Sequence, residues 1–268
     1  LSHHNHYIYF MNFRLNFLQF IIPFSVLVST TSCSKLPIDP AFVQRVVDVP
    51  ADSITFAVIG DYGNNQPAEG RVAAMVASWK PDFVITTGDN NYPLGAAGTI
   101  VNNIGNYYCD FIYNPDAPES QRCHGKAEAE MTNRFFPSPG NHDNYSVPAL
   151  QPYLDYFSLP GDERNYEFKW GPAHFFAVNT GTNGNIACCD SPSSLWLKNT
   201  MQKSTLPFRF VYFHHPPYST SNHGSNEKMR WDFTEWKADA IFNGHDHVYE
   251  RINDNTVSNP VYIISGNG

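Results

Sequence analysis

Between Asp61 and His247 the chain carries five short polar clusters, each set just after an apolar run: Asp61 in IGDYG, Asp89 and Tyr92 in TTGDNNYP, Asn141 and His142 in PGNHD, His214 in VYFHHPP, and His245 and His247 in FNGHDH. Together they offer two carboxylates, a phenol, an amide and three imidazoles as donors. This is a ligand set for two hard or borderline metal ions held side by side, and it points to hydrolysis of a phosphate ester. A carboxylate has two oxygens, so Asp89 is expected to bridge both ions and Asp61 to bind one. Asn141 offers a neutral amide oxygen, which leaves its metal strongly Lewis acidic. His214, His245 and His247 offer imidazole nitrogens, common ligands of zinc and iron. A phenol ligates well only when deprotonated, and its ordinary pKa is about 10. Tyr92 therefore calls for a strong Lewis acid, ferric iron first. The expected centre has an iron(III) site of Asp61, Asp89, Tyr92 and His247, and a divalent site of Asp89, Asn141, His214 and His245 taking zinc, iron or manganese.

Neighbouring polar residues carry two readings each. Asn90 and Asn91 either contact substrate phosphate or simply make the turn. Of the adjacent pair His214 and His215, one points inward from a strand end, and the V-x-x-H spacing from Val211 favours His214; His215 is then a supporting or substrate-side residue. His223, in the polar NHGSNE stretch, lines the substrate mouth or is a loop histidine. His174 sits on an apolar strand and reads as a sheet residue. The run Trp231, Phe233 and Trp236 reads as packing.

Ligands this far apart in sequence need elements that converge. Ser53 to Ile59 reads as a strand ending in Gly60-Asp61. Pro67 to Trp79 has helical apolar spacing, and Asp82 to Thr87 is the next strand, so the domain opens as a strand–helix–strand unit. Residues 90–124 read as a long irregular stretch. Helices are expected at Ala127–Phe136, Pro148–Phe157, Ser193–Lys203 and Glu227–Lys237. Tyr166–Trp170 and His174–Asn179 read as an antiparallel pair. Phe208–Phe213, Ala238–Phe242 and Val261–Ser265 read as strands. Strands alternating with helices imply an α/β fold. In such sheets chemistry collects at the carboxyl ends of the strands, where all five clusters fall.

The 268 residues suffice for one large domain or two small ones, and the net charge of −8 argues against sequence-independent binding to nucleic acid. A small phosphorylated substrate is still admitted, because bound cations dominate the local field. Met11 is the first candidate start, preceded by LSHHNHYIYF. Arg14 followed by an apolar stretch from Phe17 to Val28 reads as a secretory signal, with Cys33 as a candidate lipid-anchor site of the bacterial lipoprotein kind. Residues 1–33 are thus assigned to leader, 34–52 to a tether and 53–268 to the domain. The mature chain is expected outside the cytoplasm, secreted or held at the periplasmic or outer-membrane face. In that compartment Cys109 and Cys123 are candidates to close a loop as a disulfide, whereas adjacent Cys188 and Cys189 are poorly placed to pair with each other.

GDYG, GDNNY, GNHD, VYFH and GHDH, in this order, resemble the purple acid phosphatase branch of the calcineurin-like metallophosphoesterases, and the segment LPGDERNYEFKWGPAHFFAVN is similar to that of the tartrate-resistant type. The resemblance covers roughly residues 53–268. It implies a four-layer α-β-β-α sandwich of two mixed sheets flanked by helices, with a dinuclear site at the strand carboxyl ends. It implies an acid phosphatase in which a metal-held hydroxide attacks phosphorus in line, Asp89 serving the catalytic pair and His142 acting on the phosphoryl oxygens or the leaving alcohol. In that family more sequence usually follows the final SGNG, so an open-ended fragment or a short member is expected. The alternatives are a phosphodiesterase or nucleotide hydrolase of the same superfamily, whose members usually lack the tyrosine, and a surface binding protein without turnover.

Overall fold

The computed structural model describes residues 47–253 and 260–268. The residues read as a leader, Cys33 among them, and most of those read as a tether lie outside the described residues. Among the described residues twelve strands are formed: β1 Asp48–Val49, β2 Phe56–Ile59, β3 Phe83–Thr86, β4 Phe135–Pro137, β5 Tyr166–Trp170, β6 Ala173–Val178, β7 Gly181–Thr182, β8 Asn185–Ile186, β9 Phe208–Phe213, β10 Ala240–Asn243, β11 Tyr249–Ile252 and β12 Val261–Ser265. They make a seven-stranded sheet in the order β1-β5-β6-β9-β10-β12-β11, a three-stranded sheet β2-β3-β4 and a small β7-β8 hairpin. The large sheet is mixed, with β5–β6 and β11–β12 antiparallel. The three-stranded sheet pairs in parallel throughout, so among the described residues it is not the mixed sheet expected.

Aromatic side chains join the two large layers. Phe56 of β2 meets Phe175, Phe210 and Phe242 of the large sheet at ring distances of 5.1, 5.7 and 5.9 Å. Phe136 of β4 stacks on Phe168 at 3.9 Å. Each such pair adds about 0.5–1.5 kcal/mol beyond area burial. Strand β3, FVIT, is buried at every position, as a strand covered on both faces must be. Helix Pro67–Trp79 starts on a proline, whose fixed φ and missing N–H suit a first turn, and turns its buried Ala73 and Val76 inward. The far face of the large sheet is covered by Leu197 and Met201 of helix Pro192–Lys203 together with Trp231, Phe233 and Trp236. Helices and irregular cover thus flank two sheets.

Four local expectations give way. The tether is not free to its end: Val47 and Val49 accept hydrogen bonds from the N–H groups of Lys169 and Gly171, at 2.8 and 2.7 Å, and β1 edges the large sheet. The helix read over Ala127–Phe136 is only Lys126–Ala129, because Phe135 and Phe136 are fully buried as β4 and Met131 leaves helical backbone with φ 49°. Glu227–Lys237 holds one 3-10 turn, Glu227–Met229, after which Trp231 and Phe233 enter the core on turns. The stretch 90–124 is not irregular throughout: it carries helical backbone from Ala97 to Tyr108, including a π-turn over Val101–Gly105. Cys109 and Cys123 are disulfide-bonded, and Cys188 and Cys189 are free thiols.

Candidate metal centre

The five clusters meet at one seam. Asp61 follows β2, Asp89 and Tyr92 follow β3, and Asn141 and His142 follow β4, all at the carboxyl end of the small sheet. His214 follows β9, and His245 and His247 follow β10, at the carboxyl end of the large sheet. Three of these residues turn through left-handed backbone: Asp61 at φ 56°, Asp89 at 51° and His245 at 70°. That region costs most residues about 1 kcal/mol or more and is best tolerated by Asp, Asn and His. Two glycines make room. A Cβ on Gly140 would lie 2.1 Å from Asp89 Oδ1, and one on Gly244 would lie 2.4 Å from Asp61 Oδ2.

The donor atoms form two groups that share Asp89. In the first, the Tyr92 hydroxyl lies 3.4 Å from Asp61 Oδ1, 3.2 Å from Asp89 Oδ2 and 3.3 Å from His247 Nε2, with His247 Nε2 3.5 Å from Asp61. In the second, His214 Nε2 lies 3.2 Å from Asp89 Oδ2, 2.9 Å from Asn141 Oδ1 and 3.1 Å from His245 Nδ1. Asp89, His214 and His245 alone place ligand atoms within 4.8 Å of one another. These are the two sets expected from sequence.

The donor chemistry fits a pair of cations. His214 Nδ1–H donates to the Thr87 carbonyl at 2.9 Å, which leaves Nε2 as the ligating nitrogen. That nitrogen, the Asn141 oxygen and the Asp89 oxygen then turn lone pairs toward one another, an arrangement that only a shared proton or cation makes favourable. The titration shifts report the same field. Burial opposes charge on His214, yet Asp89 and Asp61 outweigh it and lift the imidazole to about 9. Burial also opposes charge on Asp89, but His214 and His142 hold it well below the usual carboxylate range. Burial pushes Asp61 up. Burial and the charge on His214 bring His245 down to about 3, a neutral imidazole.

The remaining candidates divide. His142 Nδ1–H donates to the Pro93 carbonyl at 2.5 Å, and its Nε2 faces Asp89 Oδ2 at 3.9 Å. The exposed His223 ring sits 4.2 Å from the His245 ring, at the mouth. Asn90 and Asn91 do not reach the mouth, which corrects the phosphate-contact reading. Asn90 is fully buried, accepting from the hydroxyls of Tyr62 and Thr86 and donating to the Ser138 carbonyl and Asp143. Asn91 donates to the Ala96 carbonyl and accepts from Thr99 and Asn103. His215 is buried too. Burial and the neighbouring His214 hold it down to about 2, and it bonds Thr180 at 2.7 Å and Asn183 at 2.8 Å while backing the His245 ring. It supports the centre from behind rather than lining the substrate side.

Two carboxylates went unassigned. Buried Asp143 accepts from the backbone N–H groups of Gly140, Asn90 and Asn91 and so ties the Asn141 turn to the Asp89 turn. Buried Asp246 accepts from Ser219 Oγ at 2.5 Å and from the His223 N–H at 2.8 Å, anchoring the loop that carries His223. Both sit inside the quoted motifs, GNHD and GHDH, where a carboxylate close to candidate ligands was the available signal.

The family profile described as Calcineurin-like phosphoesterase matches residues 54–249. Purple acid phosphatase 15 of Arabidopsis thaliana is 27% identical over 248 residues, covering 79% of this chain and 44% of the relative. A second Arabidopsis thaliana relative, the Fe(3+)-Zn(2+) purple acid phosphatase 12, is 27% identical over 149 residues, covering 47% of this chain and 31% of its own. The solved purple acid phosphatase from yellow lupin (Lupinus luteus) seeds superposes with a TM-score of 0.57 at 18% identity, over 79% of this chain and 43% of that one, which speaks to fold alone. The chain spans about half the length, or less, of these two curated relatives.

Proposed function

The chain belongs to the calcineurin-like phosphoesterase family, and from that premise we propose that it hydrolyses small phosphate monoesters at a centre of two metal ions, as an acid phosphatase of the purple type. The observation that carries this reading is the seat of the Tyr92 hydroxyl among Asp61, Asp89 and His247. A phenol seated among two carboxylates and an imidazole suits iron(III), a cation acidic enough to displace its proton. The relative named for Fe(3+) and Zn(2+) supports the same pairing. Asp61, Asp89, Tyr92 and His247 would hold the iron, and Asp89, Asn141, His214 and His245 would hold zinc, iron or manganese.

Bound there, two cations would lower the pKa of water and offset the charge of the phosphoryl group. The chain's own residues do the rest. Asp89 shares its carboxylate between both donor groups and keeps them together. His214 is fixed in one tautomer by Thr87. His142, fixed by the Pro93 carbonyl, turns Nε2 to the open side of Asp89, where it can hold a phosphoryl oxygen or protonate a leaving alcohol. His223 faces the same opening. The Cys109–Cys123 bond supports residence in an oxidising compartment, so secretion is part of the proposal.

The test is metal analysis and a visible spectrum of the isolated protein, followed by turnover of an aryl phosphate monoester and the matching diester across acid and neutral pH. Two metals per chain, an iron(III)–phenolate band and preference for the monoester in acid are expected. A colourless protein that prefers the diester belongs with the phosphodiesterase or nucleotide hydrolase reading. Metal binding without turnover of either ester points to a surface binding protein.

A further inference from the structure

The two loops that carry Tyr92 and His142 are unusual in this acidic chain. From Asn90 to Cys109 and again from Asn144 to Leu154 there is no charged residue and no histidine. Leu94 is 55% exposed and Val147 is 94% exposed, and with Tyr145 they are three of the six large apolar side chains left in solvent among the described residues. Pro93 and Pro148 are exposed beside them.

These side chains adjoin the centre. The Tyr145 ring lies 5.7 Å from the His142 ring, and that ring lies 4.4 Å from Tyr92. The loops touch one another: a Cβ on Gly95 would stand 2.7 Å from the Asp143 carbonyl oxygen and 2.9 Å from that of His142. Beside His245 the surface is polar, with Asn222 and His223 exposed. Among the described residues, the ion pairs of Asp61 and Asp89 are made with histidines and none with lysine or arginine. A polyphosphate or a multiply phosphorylated sugar would need such cations to pair its extra charges. Exposed apolar side chains on two touching loops beside the polar centre instead match a ligand with one charged end and one apolar body.

We infer that the preferred substrates are phosphate monoesters of an apolar alcohol or phenol, whose organic group lies along Leu94, Tyr145 and Val147 while the phosphate sits at the centre. The inference rests on the monoesterase reading. It makes the apolar rim a specificity surface and His142, at its inner edge, the group nearest the scissile oxygen.

The test uses the metal-loaded protein and n-alkyl phosphates from ethyl to octyl, each below its micelle concentration, with glycerol 1-phosphate as the polar reference. The leaving alcohols of the alkyl series differ little in basicity, so chain length reads apolar contact. A rise in kcat/KM of about two- to fourfold per methylene over the first few is expected. The double variant Leu94→Ser/Val147→Ser should flatten that slope, so that octyl phosphate loses severalfold more kcat/KM than glycerol 1-phosphate does. Turnover of all esters with no dependence on chain length overturns the apolar subsite alone, as does a slope that the double variant does not alter. A slope seen only above the micelle concentration also overturns it, in favour of an aggregate surface. Failure to hydrolyse any monoester overturns the monoesterase reading and this inference with it.

Discussion

Tyr92 separates the chemistries open to this centre. Burial first, then the charges of Asp61 and Asp89, push its phenol far above the ordinary range, so the proton stays unless a strong cation displaces it. The phenol therefore reports the metal. For Tyr92→Phe the expected outcome is loss of the visible band and weaker iron retention in a protein that still folds. Losing an outer partner of a ligand already costs about 10–100-fold in affinity or activity, so a direct ligand should cost at least that. Absorption spectroscopy with metal analysis checks it, and a variant that keeps the band would remove Tyr92 from the coordination sphere. At this scale the candidate ligands were legible because each is a polar residue stranded at the end of an apolar run. Asn90, Asn91 and His215 were not, since a polar residue beside a ligand is read the same way whether it faces substrate or holds the turn. Only the partners of Asn90, whose amide is fully used inside the protein, distinguish the two.

At the level of elements, the turn after Asp61 is held by Glu69 of helix Pro67–Trp79. Its buried carboxylate accepts from the backbone N–H groups of Asn64 and Asn65 at 3.1 and 2.7 Å, closing the loop that leaves the metal centre. Burial raises its pKa to about 7 despite those hydrogen bonds. A folded-state value above the unfolded one means that stability is fully present below the ordinary value and is lost as pH rises through about 7. Glu69→Gln keeps an acceptor and removes the titration. Denaturant unfolding should then show the variant gaining on the parent between pH 5 and pH 8 by on the order of 2 kcal/mol. A difference that does not change with pH would contradict this. Helix Pro67–Trp79 was readable because proline, apolar spacing and length agreed. The helical run from Ala97 to Tyr108 was hidden by glycines and asparagines of poor helix propensity, and its helicity comes from packing Ile100, Ile104 and Tyr108 into the core. The opposite error at Glu227–Lys237 arose because aromatic residues at mixed spacing suit a helix or a packed turn equally.

Over the whole molecule, the candidate ligands are divided between layers: the small sheet supplies Asp61, Asp89, Tyr92 and Asn141, and the large sheet supplies His214, His245 and His247. Cations bound between them would staple the two sheets at one end, beside the aromatic seam that joins them along their length. Chelation is therefore expected to lower the thermal midpoint by on the order of 10 °C and restored metal to recover it. Complete metal removal with no shift, followed by calorimetry, would show that the aromatic seam alone sets stability. What the sequence by itself determined is the list of candidate donors, the α/β alternation that puts them at strand ends, and the family they resemble, because donor type and apolar period are local properties. Only the tertiary structure decided which neighbours face the opening, that Asp143 and Asp246 brace the ligand turns, and that an uncharged rim borders His142. Those facts depend on which distant backbone each side chain meets, and no residue carries that in its own identity or spacing.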